Sequence, residues 1–224
     1  MNKQDAGLHI EIYSDVVCPW CYVGKRRLER ALDQLKEIGQ AQITWRPSQL
    51  NPTMPLDGMD RTTYLKAKFG SLEAFGRMEE QLLAAGEDEQ IPFAFEKIKR
   101  TPNTFAAHRL VWYAERQGRQ DATVESLFRG YFTEGVDIGS IPVLTQLAGR
   151  ASLDVAVVES FLRSEEGTTE VKAEEAVGRR LGISGVPYFV LNGSIAISGA
   201  QPSDIFVSAI QQARETVGKK NGGG

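Results

Sequence analysis

The stretch Leu8–Cys21, LHIEIYSDVVCPWC, decides how this chain is read. Leu8 to Tyr13 alternates and is rich in β-formers, the pattern of a strand. Ser14-Asp15-Val16-Val17 carries it into Cys18-Pro19-Trp20-Cys21, and from Pro19 onward the period turns helical. Val23, Leu28, Leu32 and Leu35 give an apolar stripe, with Arg26, Arg27, Glu29 and Arg30 expected as a wet face. Gly39 is the expected stop of this helix. A second strand follows at Gln42 to Pro47 (QITWRP), so the chain opens β–α–β.

A cysteine pair between a strand and a helix has a chemical use. The first helical turn carries unpaired N–H groups and the positive end of the helix dipole. Both favour a thiolate, the form that attacks. Cys18 is therefore expected to be the exposed nucleophile, and Cys21, one turn further in, to resolve the mixed disulfide. Pro19 suits a first-turn position, where no N–H is needed. Trp20 either shields the sulfurs and offers substrate an apolar surface or simply packs. These two are the only cysteines in the chain. A zinc site needs four ligands, yet only His9 and His108 could join them, and no second CxxC or HxxxH exists. A disulfide closing so short a loop also stabilises little. The pair reads as chemistry rather than as a staple.

Composition narrows the rest. The 224 residues suffice for one large domain, with 42% hydrophobic and 25% charged residues and a net charge of −3. That balance gives no basic surface for nucleic acid. No run of apolar residues is long enough for a membrane span. Met1 to Leu8 is polar and lacks a signal-peptide core, so the expected location is cytoplasmic.

From Arg61 to about Leu181 the pattern is helical. The expected segments are Tyr64–Phe69, Leu72–Ala85, Thr104–Gln117, Ala122–Phe132, Ile141–Ala148, Val155–Ser164 and Thr168–Leu181, with Pro102 suited to a first helical turn. Strand character returns at Tyr188–Leu191 (YFVL), with a turn at Asn192-Gly193 and a partner strand at Ile195–Ser198. Pro202–Val217 reads as a last amphipathic helix, and Gly222–Gly224 as a flexible tail. Neither set of strands makes a stable sheet alone, so the two ends must pair. Residues 1–60 and 182–224 are then expected to be the two parts of one α/β domain, and 61–181 a helical insertion.

Gly182-Ile183-Ser184-Gly185-Val186-Pro187-Tyr188-Phe189 sets a proline between turn residues and a strand, a place where an X–Pro bond can be cis. The order strand, CPWC at a helix start, helical insertion, GVPYF and closing β–β–α resembles the DsbA family of the thioredoxin superfamily. Thr101-Pro102-Asn103-Thr104 with Ala107-His108-Arg109, Tyr131-Phe132-Thr133-Glu134-Gly135 with Asp137-Ile138, and Ser198-Gly199-Ala200-Gln201 resemble its FrnE-like branch. That branch is close to 2-hydroxychromene-2-carboxylate isomerases and kappa-class glutathione transferases. The resemblance runs from about Ile10 to Ile210. It implies an α/β thioredoxin fold with a large all-helical insertion, Cys18 as nucleophile and Cys21 as resolving cysteine. It also implies a Val186-Pro187 cis-proline loop facing the thiols, with Pro19, Trp20 and Asn103 at the substrate.

The expected activity is thiol–disulfide exchange on protein or small-molecule disulfides. No resident cofactor, metal or nucleotide is implied; glutathione is left open as reductant or co-substrate, and so is a homodimer. Pro-Trp stands where strongly oxidising relatives have Pro-His, which predicts a less oxidising couple. Asn103 and His108 match a region that lines the cleft in glutathione-using relatives. The plainer alternative is a helix cap for Asn103 and a packed histidine for His108. Asp15 either tunes Cys18 or solvates a turn, His9 is expected to be structural, and Tyr13 and Trp45 core. Two rival functions stand: a one-thiol glutathione-dependent isomerase or transferase, which has no use for Cys21, and a redox-sensing, chaperone-like binding module.

Overall fold

The computed structural model describes residues 7–35 and 41–221, with side chains as far as Glu215. The expected stop at Gly39, the N-terminal residues before Gly7 and the glycine tail lie outside the described residues. One four-stranded sheet organises the chain, in the order β2-β1-β5-β6. β1 (His9–Ser14) is central. It pairs in parallel with β2 (Gln42–Pro47), which begins opposite it with Gln42 beside His9. On its other side it runs antiparallel to β5 (Tyr188–Leu191), and β5 pairs with β6 (Ile195–Ser198). The strands from the two ends of the chain thus share one sheet. Leu191 pairs with Ile195 across a three-residue loop, in which Asn192 and Gly193 both take positive φ and the Ser194 N–H donates to the Leu191 carbonyl at 3.1 Å. The Asn192 side chain then accepts a bond from the His9 N–H at 2.9 Å, tying the hairpin to the start of β1.

α1 (Pro19–Gln34) crosses from β1 to β2. α9 (Ser203–Asn221) closes the chain and lies against α1, β5 and β6. Gly24 lets α1 settle on β5: a Cβ there would stand 3.1 Å from both Phe189 and Pro187.

Between β2 and β5 lie α2 (Arg61–Phe69), α3 (Leu72–Asp88), α4 (Phe105–Arg116), α5 (Gln120–Arg129), α6 (Ile141–Arg150), α7 (Val155–Arg163) and α8 (Thr168–Arg180). Their core is continuous with that of the sheet. Tyr22 of α1 stacks on Phe128 of α5 with ring centroids 5.0 Å apart, and Trp45 of β2 meets the same ring edge-on at 6.1 Å. Rings of this size dominate the burial energy wherever they meet.

Four local readings are corrected. α2 starts at Arg61 rather than Tyr64, because Asp60 caps it by accepting from the Thr63 N–H at 2.8 Å. Pro102 is not in a helical turn. It follows β4 (Arg100–Thr101), which pairs with β3 (Met59–Asp60), and α4 begins only at Phe105. α5 stops at Arg129 and runs into a wider-wound turn, Gly130–Glu134, that ends at Gly135. Gly135 has φ +73°, and a Cβ there would lie 2.5–2.7 Å from Lys97 atoms, so a side chain is excluded twice over. Finally, the polar face of α1 is not wet. α5 and the end of α3 cover most of it, leaving Lys25 buried and Arg26 and Arg27 in ion pairs.

Candidate active site

Cys18 occupies the N-cap of α1 and Pro19 the first helical position. The Cys18 N–H donates to the Asp15 carbonyl at 3.0 Å, and the Cys21 N–H to the Cys18 carbonyl at 3.0 Å, so the backbone winds tightly through the motif. No acidic side chain stands in the first turn to oppose the dipole. Both cysteines are free thiols. Trp20 is half-buried and packs against the core with its remainder at the surface.

The remote loop arrives where β5 begins. The Val186–Pro187 bond is cis, and the Val186 carbonyl accepts from Cys18 Sγ at 3.7 Å. The Pro187 carbonyl is held in turn by the Gly199 N–H at 2.8 Å. This loop corrects one expectation: Cys18 is only 4% exposed. The helix end alone would leave it open; the strand entering 168 residues later covers it.

Cys21 is deeper still. Burial pushes its thiol well above the ordinary value, and Cys18 beside it adds to the rise. The Ser14 hydroxyl and the Asp15 backbone pull the other way without prevailing. The two sulfurs are therefore unequal. Cys18 lies at the helix end against a carbonyl; Cys21 is held as the thiol.

Asp15 solvates no turn, being fully buried. Its Oδ2 accepts from the Leu50 N–H at 2.7 Å, pinning the segment after β2 beside the motif. Its Oδ1 lies 3.3 Å from His108 Nε2 on α4. His108 is packed on the inner face of its helix, as the plainer reading has it. Asn103 spends both ends of its amide within the protein: Nδ2 donates to the Met54 carbonyl at 2.7 Å and Oδ1 accepts from the Phe105 N–H at 2.9 Å. That is a cap joined to a loop tie, and none of its bonds reaches the thiols. His9 bonds Thr44 across β1 and β2, and Tyr13 and Trp45 are buried.

Cys18, Cys21, Val186 and Pro187 thus converge, with Pro19 and Trp20 between the two cysteines along the chain. Sequence reasoning missed Ser14 and the pairing of Asp15 with His108. Nothing in a linear pattern joins positions so far apart. Among the described residues no group of three or more His, Cys, Asp or Glu is placed to hold a metal, and no helix is long and apolar enough to cross a membrane.

Comparison with known proteins agrees with this geometry. A probable DsbA oxidoreductase from Streptomyces coelicolor superposes with a TM-score of 0.85 at 34% identity, over 92% of this chain and 89% of that one. The uncharacterized protein YwbO of Bacillus subtilis is 27% identical over 209 residues, 93% of this chain and 98% of its own. The cytosolic disulfide reductase DsbM of Pseudomonas aeruginosa shares the fold at 18% identity, with a TM-score of 0.62 over 95% of this chain and 98% of that one. The pattern of the DSBA-like thioredoxin domain matches residues 9–211, and the chain belongs to that family of thiol oxidoreductases.

Proposed function

We propose that the protein exchanges its Cys18–Cys21 dithiol with disulfides of proteins or small molecules. One observation carries this reading: two free thiols, one at a helix N-cap against the Val186 carbonyl and the other held protonated one turn deeper. The Cys18 thiolate attacks a substrate sulfur, forming a mixed disulfide and releasing one substrate thiolate. Cys21 then loses its proton and attacks Cys18 sulfur. The second substrate thiolate leaves, and the protein holds the Cys18–Cys21 disulfide. Two electrons pass to the substrate, and its two thiolates are protonated by the proton Cys21 gives up and by the one Cys18 released to solvent on forming its thiolate. An extended substrate lies along the Val186-Pro187 loop, whose Val186 carbonyl stands 3.7 Å from the attacking sulfur.

The direction that fits a Pro-Trp centre is reduction, in a cytoplasm poised to reduce disulfides and with glutathione or thioredoxin as recycling donor. A one-thiol isomerase or transferase would leave Cys21 without a task.

The test is insulin reduction and the equilibrium potential of the couple, in wild type, Cys18→Ser and Cys21→Ser. Cys18→Ser is expected to lose activity by about a thousandfold or more, as for removal of a nucleophile. Cys21→Ser is expected to stall as a mixed disulfide visible by mass. Full activity in Cys18→Ser, or no reversible couple in wild type, would overturn the proposal.

A further inference from the structure

Four buried polar atoms near the dithiol find no hydrogen-bond partner among protein groups: Ser14 Oγ, Asp15 Oδ1, His108 Nε2 and Trp112 Nε1. Unsatisfied groups this far inside cost free energy, and so many in one place need a reason. Asp15 Oδ1 and His108 Nε2 face each other at 3.3 Å, off the line of a hydrogen bond. Ser14, His108 and Trp112 are each more than nine-tenths buried, and all three line one cavity of about 10 Å³. That is the room one water occupies, and such a water needs two to four polar partners. Arg46 of β2 and Glu174 of α8, both partly exposed, also line the cavity, so its outer side is the surface between β2 and α8 rather than the cis-proline loop. On its inner side the Ser14 hydroxyl is near enough to the Cys21 thiol to pull its pKa down, though outside the geometry of a hydrogen bond.

We propose that this cavity holds an ordered water on Ser14, His108 and Trp112, and that His108 is a positioning residue for the second half of disulfide exchange, receiving through Ser14 and that water the proton Cys21 must lose. The inference rests on the dithiol reading above and deepens it. As Cys21 attacks Cys18 sulfur in the mixed disulfide, the new Cys18–Cys21 bond forms and the substrate thiolate departs with the electron pair. The Cys21 proton passes to the imidazole of His108. Nε2, the ring nitrogen left without a partner, is the acceptor, and the Asp15 carboxylate 3.3 Å from it stabilises the imidazolium that results. The proton then leaves by the Arg46–Glu174 mouth or returns to the departing thiolate. The helical insertion, through α4, therefore takes part in the chemistry of the sheet domain.

The chromogenic disulfide dithionitrobenzoate separates the two halves. Attack by Cys18 releases one coloured thiolate, and resolution by Cys21 releases the second. His108→Gln and Ser14→Ala are expected to leave the first phase unchanged and slow the second by about tenfold to a hundredfold, the range for a lost proton acceptor. Asp15, Arg46 and Glu174 are the charged groups facing this path, from the β1–α1 segment, β2 and α8. A packing defect alone would not separate the phases. Trp112→Phe keeps an aromatic side chain and drops the indole N–H, and it too is expected to slow the second phase alone, so it decides the matter should His108→Gln fail to fold. Equal slowing of both phases, or an unchanged second phase in the folded variants, overturns the relay. A wild type that releases a single thiolate would instead break the dithiol reading itself.

Discussion

In its first turn α1 carries two thiols and no charge, and the polar atoms around it are partly unpaired. One to three turns later it carries Lys25, Arg26, Arg27, Glu29 and Arg30, and every one of them has an ionic partner. Lys25 meets Asp121 and Glu125 at 3.2 Å each and also pairs with Glu29. Burial alone would lower its pKa, but the three carboxylates, Asp121 first, more than offset that and hold it above the ordinary value. Glu89, brought in by the end of α3, receives Arg27 at 2.9 Å and Arg30 at 3.0 Å. The same helix is thus closed electrostatically where it joins the insertion and left open where its thiols sit. Satisfied networks hold elements in one arrangement, whereas groups that must change protonation cannot be satisfied in both states.

The comparison can be broken at the closed end first. Glu89 is a nearly inaccessible carboxylate between two arginines, so Glu89→Ala is expected to cost about 2–3 kcal/mol in a urea melt, somewhat under the usual loss for a broken buried pair because the arginines can still reach water. A loss under about 0.5 kcal/mol would mean that this end of α1 is held by packing alone.

The open end is expected to show itself through pH. Cys21 is raised above its ordinary value near 9.0, so unfolded chains surrender this proton before folded ones do. Stability is then complete below about pH 9 and falls above it, by at most about 1.4 kcal/mol per pH unit. Tyr22 and Tyr131, both pushed to about 12 chiefly by burial, add their own loss at higher pH. Reduced Cys21→Ala keeps the tyrosines and should lack the earlier fall. Identical alkaline profiles for reduced wild type and the variant would mean that the deeper thiol is not held protonated.

The smallest effect sharpens the first. Arg30 is about half exposed at 48%, and Arg27 remains on Glu89 without it. Arg30→Ala should cost about 1 kcal/mol or less, a loss that salt screens, although the same carboxylate is decisive from its own side.

Much of this was legible in advance because it is local. β2, β5 and β6 begin and end where alternation and turn residues place them, and the start of α1 follows from a proline that needs no N–H. The helices of the insertion were found within a few residues by their period, except where a cap such as Asp60 moved the boundary. β3 and β4 were not legible, since two residues are too few to show a period. The wide turn at Gly130–Glu134 was read as helix because its side chains continue a helical stripe.

By itself the sequence determined that a cysteine pair stands at a strand-to-helix junction, that strands from the two ends of the chain share a sheet, and that a proline loop enters β5. Those depend on residue type, spacing and chain connectivity. Only the tertiary structure decided that Cys18 is covered, that the charges of α1 are paired, that Asn103 is committed to a cap and that Asp15 meets His108 over a water-sized cavity. Burial and electrostatic pairing depend on which surfaces come within a few ångströms of one another, and neighbours so distant along the chain leave no periodic trace in it.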